Sequence, residues 1–165
     1  MAPDCEETPL DNESPEALCT RLSYQKAASV FADYPESPVL GSDQVAVCEG
    51  KILGKPGTTA EAHRQLMFCQ GRSVTFLTGV CLLTPFARYE ATVPTTVVFR
   101  VLDTDTLSRY IELDDPLDCA GSFKGESLGI SLCDAIRSDD PTALTGLPLI
   151  TVCQFLAEAG ISVPG

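Results

Sequence analysis

The stretch from Ser73 to Leu102 constrains the fold most. It holds two long runs rich in Val, Thr and Phe, 73–84 and 89–102, joined by a short polar and proline-containing link. Runs of this length and composition form strands that pair with each other, and the short link favours an antiparallel pairing. A second kind of segment surrounds them. Ser14-Pro15-Glu16 carries a cap, a first-turn proline and an early acid, and predicts a helix reaching about Ala32. Thr58-Thr59-Ala60-Glu61 offers a capping box and predicts a helix ending near Gly71. Asp105 is expected to cap a short helix containing Leu107, Tyr110 and Ile111, and Pro148–Gly160 reads as a final helix. Strands 39–48, 51–53 and 128–136 complete the set, with Glu49-Gly50 as the turn between the first two. Helices alternating with paired strands imply an α/β protein with a mixed sheet and flanking helices.

The chain has 165 residues, enough for one core and too few for two ordinary domains, so residues 1–165 are read as a single domain. Eleven Lys and Arg stand against 23 Asp and Glu, a formal charge of −12. No basic cluster is present to neutralise a phosphate backbone, which argues against polymeric nucleic acid as a partner. A small anionic substrate needs only a few placed cations and a divalent metal. No run of about 18 apolar residues exists, so no membrane span is expected. Met1–Leu10 is acidic, without the basic start and apolar stretch of a signal peptide, and residues 1–13 read as an irregular lead-in. A cytoplasmic location is expected.

Eight cysteines, Cys5, Cys19, Cys48, Cys69, Cys81, Cys119, Cys133 and Cys153, include no CxxC pair, and most sit in apolar runs. They read as reduced core thiols. The one histidine, His63, lies in the second predicted helix among polar neighbours and reads as a solvated position rather than a triad member.

Three segments are unusual for pure scaffolding. Ser42-Asp43-Gln44 places polar groups inside an apolar strand, where a carboxylate costs free energy unless it is paired, solvated or near a metal; an edge strand would also expose it harmlessly. Gly54-Lys55-Pro56-Gly57 sets a lysine in a tight turn, and Gly121–Glu126 is a glycine-bounded loop with one base and one acid. Lys26 falls on the stripe Leu18, Leu22, Lys26, Val30 of the first helix, where it either faces a partner or snorkels outward. Together these suit a phosphorylated ligand.

The order and spacing of Ser42-Asp43-Gln44-Val45, Leu53-Gly54-Lys55-Pro56-Gly57, Cys119–Lys124 and Asp140–Leu149 resemble successive blocks of the Maf family across essentially the whole chain. Asp4–Pro9 and Lys26-Ala27 resemble two further blocks. The resemblance implies a two-lobed α/β fold around a central cleft and hydrolysis of nucleoside triphosphates to monophosphate and pyrophosphate with a divalent cation (Mg²⁺, Mn²⁺ or Co²⁺). Ser-Asp-Gln and the Cys-Ala-Gly-Ser loop are similar to the branch of the family that takes 7-methyl-GTP; the dTTP/UTP branch carries Ala-Asp-Thr instead. Gly125-Glu126-Ser127 keeps that branch's acid with its flanking residues exchanged. The resemblance further implies that Asp43 activates water, as general base or as a metal ligand, and that Glu7 helps bind the metal. Lys26 and Lys55 are expected to meet phosphate oxygens, and Gln44 and Glu126 to read the base. Family members open with an apolar strand and a Ser-x-Ser-Pro-Arg-Arg loop, and the expectation is that both are missing ahead of Pro3, exposing a sheet edge. Two alternatives stay open: a dTTP or UTP pyrophosphatase of the same family, and a nucleotide-binding or cell-division protein without turnover. The expected partner is a small nucleoside triphosphate, and a homodimer is compatible with the sequence.

Overall fold

The computed structural model describes residues 7–165. The acidic residues through Glu6, including Cys5 and the start of the Asp4–Pro9 block, lie outside the described residues. The element order is α1 Pro15–Phe31, β1 Val39–Cys48, β2 Lys51–Leu53, α2 Thr59–Cys69, β3 Ser73–Leu83, β4 Arg88–Phe99, α3 Thr104–Asp114, β5 Cys133–Ser138 and α4 Leu149–Glu158, with short 3₁₀ turns at Ala120–Ser122, Leu128–Leu132 and Ala143–Thr145. The five strands form one sheet in the order β2-β1-β3-β4-β5, and the β1/β2 and β4/β5 pairs are antiparallel. The α/β organisation read from the sequence is present.

Local chemistry explains the boundaries. Ser14 Oγ accepts the Ala17 N–H at the start of α1, and Thr58 Oγ1 accepts the Glu61 N–H at the start of α2. Glu49 and Gly50 both take positive φ, 49° and 74°, the pair of left-handed residues that a two-residue hairpin turn needs. Two expectations require correction. The cap of α3 is Asp103, whose carboxylate accepts the Thr106 N–H at 2.7 Å, while Asp105 falls in the first turn, where it favours the helix dipole. Residues 128–132 form a 3₁₀ turn rather than the first half of a strand. Gly129 lies so close to the Lys124 carbonyl that a Cβ would sit 2.2 Å from that oxygen, and the chain straightens only at Cys133.

The chain divides into two compact units, and the division falls inside β1, β3 and β4. One comprises the residues up to Gln44 with Leu77–Pro94 and Asp139–Gly165. Within it Ala27, Val39, Cys81 and Leu83 form a buried cluster against which Tyr24, Ala28, Val30 and Phe31 pack. The other comprises Val45–Phe76 and Thr95–Ser138. Its core is built around Phe123, whose ring lies 5.4 Å from Phe76 and 5.3 Å from Phe99. Such aromatic pairs add about 0.5–1.5 kcal/mol each beyond the area they bury.

The cysteines behave as the sequence suggests, with one exception. Cys19, Cys48, Cys69 and Cys81 are buried, Cys119 and Cys133 are partly so, all are free thiols, and Cys153 alone of the described cysteines is exposed on α4. Burial pushes the Cys69 thiol up to about 12 and those of Cys81, Cys119 and Cys133 up to about 11, so these groups stay protonated at neutral pH. His63 sits half-buried on α2, less solvated than expected. No helix among the described residues is long and apolar enough to cross a membrane.

Candidate active site

Two glycines bring α1 onto the strands. A Cβ on Gly41 of β1 would lie 2.3 Å from the Ser23 carbonyl oxygen and 2.4 Å from the Ala27 nitrogen. One on Gly79 of β3 would lie 2.8 Å from the Cys19 carbonyl oxygen. No other residue permits this approach of helix backbone to strand backbone. Cys19 fills the contact: its Sγ accepts the Gly79 N–H at 3.0 Å and lies 3.1 Å from the Leu77 carbonyl and 3.3 Å from that of Asp43, which share its weak S–H donor.

This docking decides where Lys26 goes. Its Nζ lies 2.5 Å from Asp43 Oδ1 and 2.8 Å from Glu7 Oε1. The Asp43 side chain is 10% exposed, Lys26 21% and Glu7 44%, so the pairing runs from a nearly buried carboxylate out to a half-exposed one. Burial acts against the Lys26 charge, but the hydrogen bonds it donates to Asp43 and then Glu7 outweigh it, and the ammonium is held above its ordinary range. Of the two readings of Lys26, the inward one holds. The structure therefore brings together three of the residues singled out by sequence, Asp43, Lys26 and Glu7.

The neighbours of Asp43 anchor the strand to the turn before α4. Ser42 Oγ lies 2.8 Å from the Gly79 carbonyl and 2.5 Å from the Gly146 carbonyl. Gln44 Nε2 donates to Thr78 Oγ1 at 2.9 Å and to the carbonyls of Ala143 and Leu144 at 3.2 Å each. Thr78, fully buried, donates its own hydroxyl to the Ala143 carbonyl at 2.9 Å. The turn is held from its other side by Asp140, which is 2% exposed. Its carboxylate accepts the N–H and hydroxyl of Thr142 at 3.0 and 2.6 Å and the Ile150 N–H at 2.8 Å. Burial pushes the Asp140 pKa up, but these hydrogen bonds pull it down further, and the net result lies below the ordinary carboxylate value. Asp140 and Thr142 thus supply the N-terminal caps that Pro148, at the cap position of α4, cannot.

Lys55 and Glu126 lie in the other unit, both exposed, on loops that are tied together. Gly121 N–H donates to the Gly54 carbonyl at 3.2 Å. Gln65, 6% exposed, donates from Nε2 to that same carbonyl at 3.1 Å and accepts the Ser122 hydroxyl at 2.6 Å. Lys124 of the second loop has a structural duty: its ammonium donates to the Asp114 and Asp115 carbonyls at the end of α3, where the helix dipole favours a cation.

Sequence reasoning missed Cys19, Gln65, Thr78 and the buried role of Asp140. A threonine in a β segment and a glutamine in a helix carry no local signal. Asp140 opens one of the family blocks, and its capping role has a local signal, because Asp-Pro-Thr shortly before an apolar helix has the residue types of a cap.

The protein-family model described as Maf-like protein matches residues 1–159. The 7-methyl-GTP pyrophosphatase of Xanthomonas oryzae pv. oryzae is 50% identical over 162 residues, covering 98% of this chain and 85% of that protein. Those of Pseudomonas aeruginosa and Aromatoleum aromaticum are 49% and 48% identical over 165 residues, covering 99% and 98% of this chain and 86% and 84% of theirs.

Proposed function

The chain belongs to the Maf-like protein family, and from that premise we propose that it is a nucleoside triphosphate pyrophosphatase converting 7-methyl-GTP to 7-methyl-GMP and pyrophosphate. The observation that carries the chemistry is the Asp43–Lys26–Glu7 constellation, a nearly buried carboxylate held in place by a charged ammonium. The names of relatives at about half identity over almost the whole chain support the substrate.

In this reading a water molecule attacks the α-phosphorus and gives its proton to Asp43. The bond from the α-phosphorus to its bridging oxygen breaks, and pyrophosphate leaves with the electron pair. Lys26 holds the Asp43 carboxylate in one orientation and neutralises charge beside it, while Lys55 meets phosphate oxygens as a point charge. Gln44 and Glu126 read the base, the carboxylate suiting guanine's N1–H and 2-amino donors.

In this reading Asp43 and Glu7 are the residues that would hold a divalent cation such as Mg²⁺, Mn²⁺ or Co²⁺. Both carboxylates meet the Lys26 ammonium in this structure, and both supply the hard oxygen donors such a cation takes. No group of three or more His, Cys, Asp or Glu suited to a metal occurs among the described residues. Such a cation, when bound, neutralises charge on the phosphates and polarises the attacking water. A cytoplasmic location completes the proposal, and a homodimer is compatible with it.

The test is a kcat/KM panel with Mg²⁺ over 7-methyl-GTP, dTTP and UTP. Preference for 7-methyl-GTP supports the reading. Preference for dTTP or UTP overturns the substrate, and binding without turnover overturns the enzyme.

A further inference from the structure

Resting on the reading of Gln44 as a base contact, we propose that Thr78 is a specificity-determining positioning residue: it fixes the amide of Gln44 so that the side chain presents only an acceptor, Oε1, to the nucleotide.

The argument is one of donor and acceptor counting. Around the end of Gln44 stand the Ala143 and Leu144 carbonyls, each 3.2 Å from Nε2, and the Thr78 hydroxyl at 2.9 Å. Backbone carbonyls only accept. The Thr78 proton is directed to the Ala143 carbonyl at 2.9 Å, so its oxygen has only lone pairs to offer Gln44. All three neighbours are therefore acceptors toward the amide, and only its NH₂ end fits them. A rotated amide would set Oε1 against two carbonyl oxygens and a lone pair. Among the described residues, no hydrogen bond reaches Oε1.

The consequence for selectivity is directional. Guanine offers adjacent donors at N1–H and its 2-amino group; methylation at N7 keeps the 2-amino donors and makes N1–H a more acidic one. Uracil and thymine offer one donor between two carbonyl acceptors. A glutamine free to rotate serves either edge, because its NH₂ can meet a pyrimidine carbonyl. One held by Thr78 together with the Ala143 and Leu144 carbonyls serves the donor edge and sets its oxygen against the carbonyls of the wrong base; Thr78 makes the shortest of the three contacts, so its loss loosens the hold. Thr78 is fully buried and touches the nucleotide only through Gln44.

The experiment compares wild type, Thr78→Val and Thr78→Ser on 7-methyl-GTP, dTTP and UTP. Valine keeps the shape and removes the hydroxyl; serine keeps the hydroxyl. The expected result is that Thr78→Val, which leaves only the two carbonyl contacts, narrows the kcat/KM preference for 7-methyl-GTP by about two- to tenfold, the worth of one hydrogen bond, chiefly by improving dTTP and UTP, and that Thr78→Ser keeps it. A purely structural Thr78 would lower the melting temperature and leave the ratio unchanged, which overturns the proposal. A second measurement needs no variant. In wild-type protein titrated with 7-methyl-GMP, the two Gln44 side-chain amide proton signals should stay protected and keep their cross-peaks to the Thr78 methyl group. Loss of those cross-peaks on binding overturns the proposal even if Thr78→Val fails to fold. Should wild type show no preference for 7-methyl-GTP, the substrate reading fails, and the amide spectrum still decides the orientation of Gln44.

Discussion

Lys26 Nζ and Asp43 Oδ1 are 2.5 Å apart, joining the middle of α1 to the middle of β1 through an ion pair that is mostly shielded from water. Asp43 is 10% exposed, and a carboxylate so placed needs a counter-charge. Lys26 supplies it and engages Glu7 at the same time. The pair orders the carboxylate that the proposed reaction uses.

Asp43→Asn should therefore abolish hydrolysis while the fold survives. The amide keeps the shape and cannot take a proton, and Lys26 retains Glu7 as a partner. Loss of a general base costs roughly 10²–10⁴-fold in turnover. Steady-state rates with a melting curve on the same sample check this, and near-normal turnover removes Asp43 from the chemistry.

Lys26→Ala and Lys55→Ala should separate in their effects. Lys55 is exposed on a loop, so its loss should change stability by no more than about 0.5 kcal/mol and show in KM. Lys26 is paired to two carboxylates, and its removal should lower both kcat and the melting temperature, because Asp43 loses its counter-charge. Equal behaviour of the two variants in thermal melts and kinetics would contradict this division.

Gly41→Ala should disrupt the site from a distance. Its methyl group would meet the Ser23 carbonyl at 2.3 Å and Ala27 N at 2.4 Å, forcing α1 away from β1. Overpacking of this kind costs about 1–3 kcal/mol or more, and displacing α1 carries Lys26 away from Asp43. Chemical denaturation read beside activity should show both falling together; full activity would mean that the seating of α1 is not what places Lys26.

Much of this was legible in the sequence. The bounds of α1, β1 and β2 follow from Ser14, the Val39–Cys48 run and Glu49-Gly50, because caps, strand composition and turn chemistry are local. Asp43, Lys26 and Glu7 were legible from residue types out of place and from family blocks. The partners of Gln44 were not. Its hydrogen bonds reach Thr78, Ala143 and Leu144, which are 34 to 100 positions away in sequence. The 128–132 turn was misread for a related reason: its hydrophobic residues suit a strand, and only the approach of Gly129 to Lys124 shows otherwise.

Acid should destabilise the protein in part through Glu13 and Asp140, two of the carboxylates held low in the folded state. Hydrogen bonding by Arg21, with the Leu10 N–H, holds Glu13 at about 2 against an ordinary value of 4.5, and Asp140 is likewise lowered. Groups lowered in the folded state stabilise it fully above their ordinary values, and that contribution fades as pH falls toward the folded value. Stability should thus decline between about pH 4.5 and 2. Glu13→Gln and Asp140→Asn should each flatten that decline in a pH series of urea melts; unchanged slopes would show that these groups do not govern it.

The central claim is tested most directly by the products formed from 7-methyl-GTP and Mg²⁺, followed by ³¹P NMR in parallel for wild type and Asp43→Asn. The account predicts 7-methyl-GMP and pyrophosphate appearing in equal amounts with wild type, no orthophosphate, and neither product with Asp43→Asn. Release of orthophosphate, or pyrophosphate formed as fast by the variant as by wild type, would contradict it.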